Sequence, residues 1–420
     1  MSLDVVVLAA GEGTRMRSNL PKPLHLLSGR PMVRWVCESA RRFCDEPILV
    51  VGPESEKVTA AAGPVRPVTQ HPPRGTADAL ARALPLCAAD HLLVLYADVP
   101  LLKISTLEAL LREHAAAGAD VTLLTTRLPE PGAYGRIVRD ADRRVKRIVE
   151  ATAATEEELK IKEVFTGTAV WRRAFLLETL PRLAPDPVKG EVFLTEAVER
   201  AGRVAAVECD REEAQGVNDR VELARADAVL QRRIKEELMR SGVTIVRPET
   251  VYIEADVEIG RDTVIGPFTV IRSGVRVGEG CEVGPFSQLR GGTVLEDGAE
   301  VGNFVETKKT RMGSGAKAKH LSYLGDGVVG AGANIGAGTI FANYDGERKH
   351  ATVIGEGASI GSGTVLVAPV EVGRGATTGA GAVVTRGRNV PDGGVVVGVP
   401  ARPLKKRSSK RGKEDPGKRV

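Results

Sequence analysis

The sequence predicts two kinds of core in one chain, an α/β domain followed by a parallel β-helix. Two observations carry this. Up to about residue 221, apolar strand-like runs alternate with helical patterns, as in a parallel sheet covered by helices on both faces. From Ile253 an aliphatic residue recurs at every sixth position: Ile253, Ile259, Ile265, Ile271, Val277, Val283, Leu289, Leu295 and Val301. Gly260, Gly266, Gly278, Gly284 and Gly302 follow in step. A period of six suits neither a helix nor an ordinary hairpin sheet. It suits a solenoid with three short flat strands per triangular coil, each aliphatic side chain pointing inward and stacking on its copy about 4.8 Å away.

With 420 residues the chain has room for more than one core. The aromatic content of 4% suits narrow coils filled by small and β-branched residues. The apolar run at 5–10 is too short for a signal peptide or a membrane span, so a cytoplasmic protein without membrane insertion is expected. Five cysteines, Cys37, Cys44, Cys87, Cys209 and Cys281, are an odd number without a CxxC pair; they read as reduced, packed thiols. The net charge of +5 comes from the end: residues 402–420 hold nine Lys or Arg against two acids. That tail reads as solvated and disordered. The body shows no basic stripe with interleaved aromatics, so no nucleic-acid partner is expected.

Within the α/β domain, residues 1–221, buried strands are predicted at 5–10, 47–52, 91–98 and 120–126, and helices at 31–43, 76–88 and 105–117. The amphipathic stretch 219–240 places Leu223, Leu230, Ile234 and Leu238 on one face, and Gly242 ends it. It reads as a connector helix, 222–241, ahead of a β-helix at 242–404 and a basic tail at 405–420. The six-residue beat slips at 307–312, loosens at 318–329 and is interrupted by a loop at 341–351. It resumes through Ile354, Ile360, Leu366, Val372, Thr378 and Val384.

The first strand runs into LAAGEGTRM (8–16). Gly11 and Gly13 let the backbone approach a phosphate, and amides there can cradle it. Neither GxxxxGK nor GxGxxG is present, and a tight turn without a ligand stays open as the alternative. Arg15 and Lys22 sharpen the phosphate reading, since a crowded triphosphate needs cations. Asp98, in LYADVP (95–100), falls at the carboxyl end of a strand, the usual ligand edge of such sheets; it is a candidate Mg²⁺ ligand or a strand-end cap. Asn218, in GVNDR (216–220), offers a second oxygen or caps the following helix.

In order, LAAGxGTRM, PKxLH, Gln70, Gly75-Thr76, LYADVP, YGRI (134–137), Val149-Glu150 and GVNDR resemble the sugar-1-phosphate nucleotidyltransferases, most closely the N-acetylglucosamine-1-phosphate uridyltransferase branch. The resemblance implies a Rossmann-like domain whose cleft includes Leu8, Ala9, Gly11 and Tyr96. Arg15 and Lys22 would act on the phosphates, and Gln70 would read the uracil edge. Gly75 and Thr76 would line the base and sugar pocket. Gly135, Glu150 and Thr166 would lie at the N-acetyl sugar, and Asp98 with Asn218 would hold Mg²⁺. The chain departs from the pattern at four points. Glu12 stands where lysine is common, and Pro23 replaces valine. Thr166 replaces a sugar-contacting asparagine, and HPPRGTADA (71–79) is unusual around the Gly-Thr pair.

In the second half, VGNFVETKK (301–309), KHLSYLGD (319–326), NIGAGTIFANYDG (334–346) and IGSGTVLVAPV (360–370) resemble the acetyltransferase part of the bifunctional uridyltransferase/glucosamine-1-phosphate N-acetyltransferase family. That family carries a left-handed parallel β-helix of hexapeptide repeats. Chemically, His320 can accept a proton from an attacking amine near neutral pH, while Arg290, Lys308 and the Tyr323 hydroxyl suit a sugar phosphate. By the resemblance, Glu306 orients His320, and Asn334, Asn343 and Tyr344 line the amino-sugar site. Ala337, Ser362 and Ala380 follow the acetyl-CoA path. The family's late CoA-contacting arginine corresponds to Gly398, with Arg402 nearby as a substitute.

The resemblance implies an enzyme of UDP-N-acetylglucosamine synthesis that uses glucosamine 1-phosphate, acetyl-CoA, N-acetylglucosamine 1-phosphate and UTP, assembled as a homotrimer. Two other readings stay open: a different nucleotide or sugar preference, and a β-helix that serves only assembly.

Overall fold

The computed structural model describes residues 1–404 apart from Glu12, Glu54 and 187–189. Glu12 and the tail at 405–420 therefore lie outside the described residues. The chain divides into two compact units, Met1–Leu230 and Gln231–Val420.

The first unit is built on a nine-stranded sheet. Its main path runs Val204–Glu208, Val121–Arg127, Glu163–Arg172, His91–Tyr96, Leu3–Ala9, Ile48–Val51 and Arg66–Thr69. Alternate residues of Leu3–Ala9 serve opposite faces. Val6 and Leu8 join one core with helices Thr76–Ala83 and Arg173–Thr179, while Val5 and Val7 join the other with Met32–Ala40, Glu56–Ala62 and Ile104–Ala117. Burial on both faces explains the unbroken apolar runs in the sequence.

The expected parallel sheet also contains antiparallel pairings. Glu163–Arg172 runs antiparallel to both its neighbours. It enters after the antiparallel hairpin of Arg136–Arg139 with Val145–Val149, which returns the chain without a crossover helix.

Helix Arg220–Arg240 has residues in both units. Leu223, Ala226, Val229 and Leu230 pack with Leu27, Met32, Leu101 and Val217 of the first unit. From Gln231 onward the same helix belongs to the solenoid and covers its first coil. The Gln231 carboxamide bonds both backbone groups of Ile253, at 2.6 and 3.0 Å. Lys235 donates to the carbonyls of Pro248 and Val251, and Ile234 and Leu238 close the core. Open strand edges of a solenoid need such a cap.

The second unit is the expected left-handed parallel β-helix. Its three sheets hold ten, eight and seven strands and begin at Thr244–Ile245, Tyr252–Ile253 and Glu258–Ile259. Early coils take 18 residues, as in the pairing of Val264 with Glu282. The slip at 307–312 is one missing residue at a corner: Arg290 still pairs with Lys308, 18 on, but Val294 pairs with Arg311, 17 on. The shortened corners turn through positive φ at Lys309 and Asp326.

The segment at 318–329, expected to loosen, is an intact coil. Its inward ladder runs through Thr307, Met312, Ala318, Leu324 and Val329 in steps of five, six, six and five, and the two short steps hide the beat. The buried Thr307 adds to the disguise, its hydroxyl bonded to Thr293 at 3.0 Å. The loop lengthens one turn, so that Ile340 pairs with Val365, 25 residues on.

One buried polar cluster makes the first unit sensitive to acid. His114 on helix Ile104–Ala117 is 1% exposed. It lies between Thr122 Oγ1 at 2.9 Å and His91 Nδ1 at 3.0 Å. Burial, and then the His91 charge, lower its pKa to about 4. The unfolded chain therefore binds the proton first as pH falls. The stability held by neutral His114 is complete above about pH 6.5 and is lost on descent toward pH 4, on the order of 3 kcal/mol. Both tryptophans, Trp35 and Trp171, lie in this unit, so tryptophan fluorescence isolates its unfolding. The urea midpoint is expected to fall steeply between pH 6.5 and 4.5, and less steeply in His114→Asn. Parallel pH slopes in the two proteins would refute the assignment.

Candidate active sites

In the first unit the cleft forms where strands Leu3–Ala9 and His91–Tyr96 lie side by side, Leu8 opposite Tyr96. Both end at the same carboxyl edge, and Gly11, Gly13 and Asp98 line one space there. A cavity of about 250 Å³ is lined by Leu8, Ala9, Gly11, Gly13, Arg15, Lys22, Asp98 and Asn218. Gly13 has φ 62°, and a Cβ there would sit 2.5 Å from Lys22 Cβ; glycine is what lets the loop close over Lys22. Lys22 Nζ donates to Asp98 Oδ2 at 2.6 Å and to Asn218 Oδ1 at 3.0 Å. Arg15 reaches the same Asn218 oxygen at 3.0 Å. The amide of Val217 donates to Asp98 O at 2.8 Å and ties the 216–218 segment to the strand end.

Asn218 is not the helix cap. Asp219 Oδ1 accepts from the amides of Val221 and Glu222 and takes that role, leaving the Asn218 side chain in the cleft. The oxygens of Asp98 and Asn218 thus converge on one cationic position. A single carboxylate with a carboxamide fits Mg²⁺, which draws its other ligands from phosphates and water.

An adjoining cavity of about 500 Å³ shares Leu8, Gly11 and Asp98 and adds Gln70, Gly75, Thr76, Tyr96 and Glu191. Gln70 is buried, and its Nε2 donates to Gly75 O at 2.9 Å and Asp78 Oδ2 at 2.8 Å. Both amide hydrogens are committed, which leaves Oε1 available as an acceptor. Gly75 precedes helix Thr76–Ala83 with φ 99°, and a Cβ would meet Val192 O at 2.5 Å. Burial pushes the Tyr96 phenol upward.

Glu150 lies near Gly135 and accepts from Thr195 Oγ1 at 2.8 Å. Thr166 does not join this group as a sugar contact. It is buried, its hydroxyl donates to Leu124 O at 3.0 Å, and it accepts from the Thr168 amide at 3.3 Å. The bulged strand turns that hydroxyl into the sheet.

In the second unit, two columns at neighbouring positions of the coil gather the predicted residues. The first runs along the corner between the first and second sheets. Leu321 N bonds Asn303 O, Gly338 N bonds His320 O, Gly363 N bonds Ala337 O, and Gly381 N bonds Ser362 O. Asn303, His320, Ala337, Ser362 and Ala380 therefore sit one above another on successive coils. The three small residues rise from His320 over roughly 14 Å, at about 4.8 Å per coil. Asn334 lies in the same sheet, paired with Lys317 and Ser359.

The second column is on the second sheet. Arg290 pairs in register with Lys308, and Glu306 with Tyr323. A Cβ on Gly325 would lie 2.6 Å from both Tyr323 Oη and Asn343 Nδ2, so the bare glycine makes room for these two polar groups. Asn343 is buried and donates to Asp326.

The expected role of Glu306 is corrected. Its carboxylate holds Arg290 Nη1 at 2.7 Å, whereas His320 Nδ1 meets Asn303 Oδ1 at 2.8 Å. The loop supplies a residue that the motifs did not single out. The Lys349 ammonium neighbours Lys308 and, with Arg290 beyond, holds the Lys308 pKa below its ordinary value. Tyr344 and Lys349 form an isolated bridge across this loop. Asp345 pins it, accepting from His350 at 2.6 Å, from Arg386 at 2.7 Å and from the Glu347 and Arg348 amides. These bonds, the Arg348 amide first, hold its carboxyl far below the usual range. Asn303 and Lys349 become visible only once the 17- and 25-residue coils are aligned.

Residues 5–167 match the model of the MobA-like NTP transferase domain, and residues 351–386 that of the bacterial transferase hexapeptide, six repeats. Among curated relatives, the "Bifunctional protein GlmU" of Fervidobacterium nodosum is 42% identical over 98% of each chain. That of Alkalilimnicola ehrlichii is 44% identical over 94% of each chain. That of Thermotoga maritima is 43% identical over 91% of this chain and 94% of its own. At 42–44% identity over 91–98% of its length, the chain belongs to the family of bifunctional GlmU proteins.

Proposed function

We propose that the chain catalyses two consecutive transfers in the synthesis of UDP-N-acetylglucosamine, one in each unit. In the solenoid, the amine of glucosamine 1-phosphate attacks the acetyl-CoA thioester. A C–N bond forms, the C–S bond breaks, and the amine proton passes to His320 Nε2 as CoA leaves. In the α/β unit, a phosphate oxygen of N-acetylglucosamine 1-phosphate attacks the α-phosphate of UTP, and pyrophosphate departs with the broken P–O bond. The observation that carries the reading is the corner column. His320 stands at the foot of a smooth track of Ala337, Ser362 and Ala380, the shape needed by the long thiol arm of CoA. The cations Arg290, Lys308 and Lys349, with Tyr323, suit the sugar phosphate. Asn334, Asn343 and Tyr344 supply polar groups for the amino sugar. Arg402 pairs across from Val397 beside Gly398 and is the candidate for the missing CoA contact.

In the α/β unit, Arg15 and Lys22 take the triphosphate. Mg²⁺ held by Asp98 and Asn218 would neutralise charge that builds on the phosphates. Gln70 reads the base through its free Oε1, which accepts from the N3–H of uracil; cytosine has no hydrogen there. Thr166 favours a second reading in which the sugar preference is broader, because its hydroxyl is already bonded to Leu124 O.

We also infer a cytoplasmic homotrimer. Support comes from Phe268, Phe286 and Phe304, stacked at 4.8 and 5.3 Å on the corner below His320. With Leu321 they form an apolar ladder about half exposed to solvent, the kind of contiguous patch that marks an interaction surface. No helix among the described residues is long and apolar enough to cross a membrane.

Pyrophosphate release and CoA thiol release, measured on one sample, test the two assignments. Asp98→Ala is expected to reduce uridylyl transfer by about 10³-fold, the loss of several kcal/mol of charge stabilisation, with acetyl transfer intact. His320→Ala is expected to lower acetyl transfer by about 10²–10⁴-fold with uridylyl transfer intact. A variant that keeps its own reaction at full rate removes its residue from the mechanism.

UTP is expected to exceed CTP in kcat/KM by about 10- to 100-fold, the cost of leaving a buried acceptor unpaired, and Gln70→Leu should narrow that ratio. An unchanged ratio would show that Gln70 does not select the base. Gly325→Ala should cut acetyl transfer by at least about 10-fold by displacing Tyr323 and Asn343. Wild-type acetyl transfer in that variant would mean those two groups do not position substrate.

A further inference from the structure

We propose that Asn303 is the positioning residue for His320, fixing the imidazole with its proton on Nδ1 and its lone pair on Nε2. The proposal rests on the reading of His320 as the group that takes the amine proton. Three observations carry it. Asn303 Oδ1 lies 2.8 Å from His320 Nδ1, and a carboxamide oxygen only accepts, so Nδ1 is the donor. An imidazole with Nδ1–H bonded is left with Nε2 as its basic nitrogen. Asn303 and His320 also share one register position on adjacent strands, Glu300–Asn303 and Lys317–His320. The contact is therefore set by backbone pairing instead of by a flexible reach.

The third observation is the fit that allows this pairing. A Cβ on Gly302 would lie 2.1 Å from Lys319 O, so only glycine lets the coil carrying Asn303 settle against the coil carrying His320. Carried on two residues, the register of Val283 with Val301 sets Pro285 one coil below Asn303, and the bond from Phe286 N to Pro267 O sets Pro267 below Pro285. Proline has no side-chain acceptor. The amide appears in the column only beneath the histidine.

The other candidate is engaged elsewhere. Glu306 lies on the second sheet, opposite Tyr323, with its carboxylate on Arg290. Glu306 thus acts on the sugar-phosphate cations and Asn303 on the base, which separates their effects on KM and kcat.

The test uses the full chain and acetyl transfer kinetics with both substrates varied. Asn303→Leu is expected to lower kcat about 10- to 100-fold, less than or equal to the loss of the base itself, with KM for acetyl-CoA and glucosamine 1-phosphate little changed. Asn303→Asp keeps an acceptor oxygen at the same reach and should recover most of kcat. Glu306→Gln should act chiefly on KM for glucosamine 1-phosphate. In protein labelled with ¹⁵N-histidine, the resonances lost in His320→Ala identify this residue, and the wild type should show Nδ1 protonated and Nε2 bare. That measurement needs no Asn303 variant to fold.

A wild-type imidazole with the proton on Nε2 would overturn the proposal. So would a leucine variant at full kcat while His320→Ala is inactive, a loss confined to KM, or an aspartate variant no better than leucine. Full acetyl transfer by His320→Ala would instead bring down the assignment of the base, and the role of Asn303 with it.

Discussion

Coil-to-coil register is the constraint on which the second unit depends. Each strand has only two to four residues, so no single strand can hold a side chain in place. Position comes from stacking. Glycines such as Gly302 and Gly336 bring successive backbones closer than any Cβ would allow; at Gly336 the clash would be 2.4 Å from Ile360 O. Once the backbones are in register, chemically different residues on separate coils fall into one line. The corner column from Asn303 to Ala380 spans 77 positions of sequence and only a few coil rises. A one-residue shift would place Lys319 or Leu321 where His320 stands.

The first unit solves the same problem with a sheet edge. Lys22, Asp98 and Asn218 come from distant parts of the chain, and each is anchored to the backbone next to a strand end. The bond from Val217 N to Asp98 O and the tight turn at Gly13 do for this cleft what pairing does for the solenoid. In both units the reactive side chains stand on rigid backbone, which suits chemistry that depends on placement.

Much of this was legible in the sequence because the signals were periodic or local. The aliphatic ladder from Ile253 to Val301 and the apolar runs at 5–10 and 91–98 marked their elements directly. The glycine loop, Asp98 and His320 stood out by residue type at element ends. What escaped was non-local. The antiparallel strand Glu163–Arg172 is as apolar as its parallel neighbours, and direction leaves no mark on composition. The coil at 318–329 was hidden by five-residue steps and by Thr307, a polar residue with a bonded hydroxyl on an inward position. Glu306 and Asn303 are three residues apart; only the corner at Phe304 decides which one faces His320. Asn218 was ambiguous between cap and ligand until the neighbouring Asp219 was seen to satisfy the helix.

The two sites also share an electrostatic design with one exception. Lys22 is paired with Asp98 and Arg290 with Glu306. Such pairs hold the cations in place while lowering the local positive potential, so an incoming phosphate competes with a carboxylate and gains less than it would from a free cation. Lys308 and Lys349 are arranged the other way. Their like charges face each other at the end of the inserted loop, and the Asp345 bonds to His350 and Arg386 hold that loop in place. Anion binding between them relieves repulsion in addition to forming new contacts. The loop insertion is thus more than a tolerated interruption of the solenoid: it brings the Lys349 charge to a sheet face that already carries Arg290 and Lys308, while the acid that anchors the loop is engaged by its own bonds.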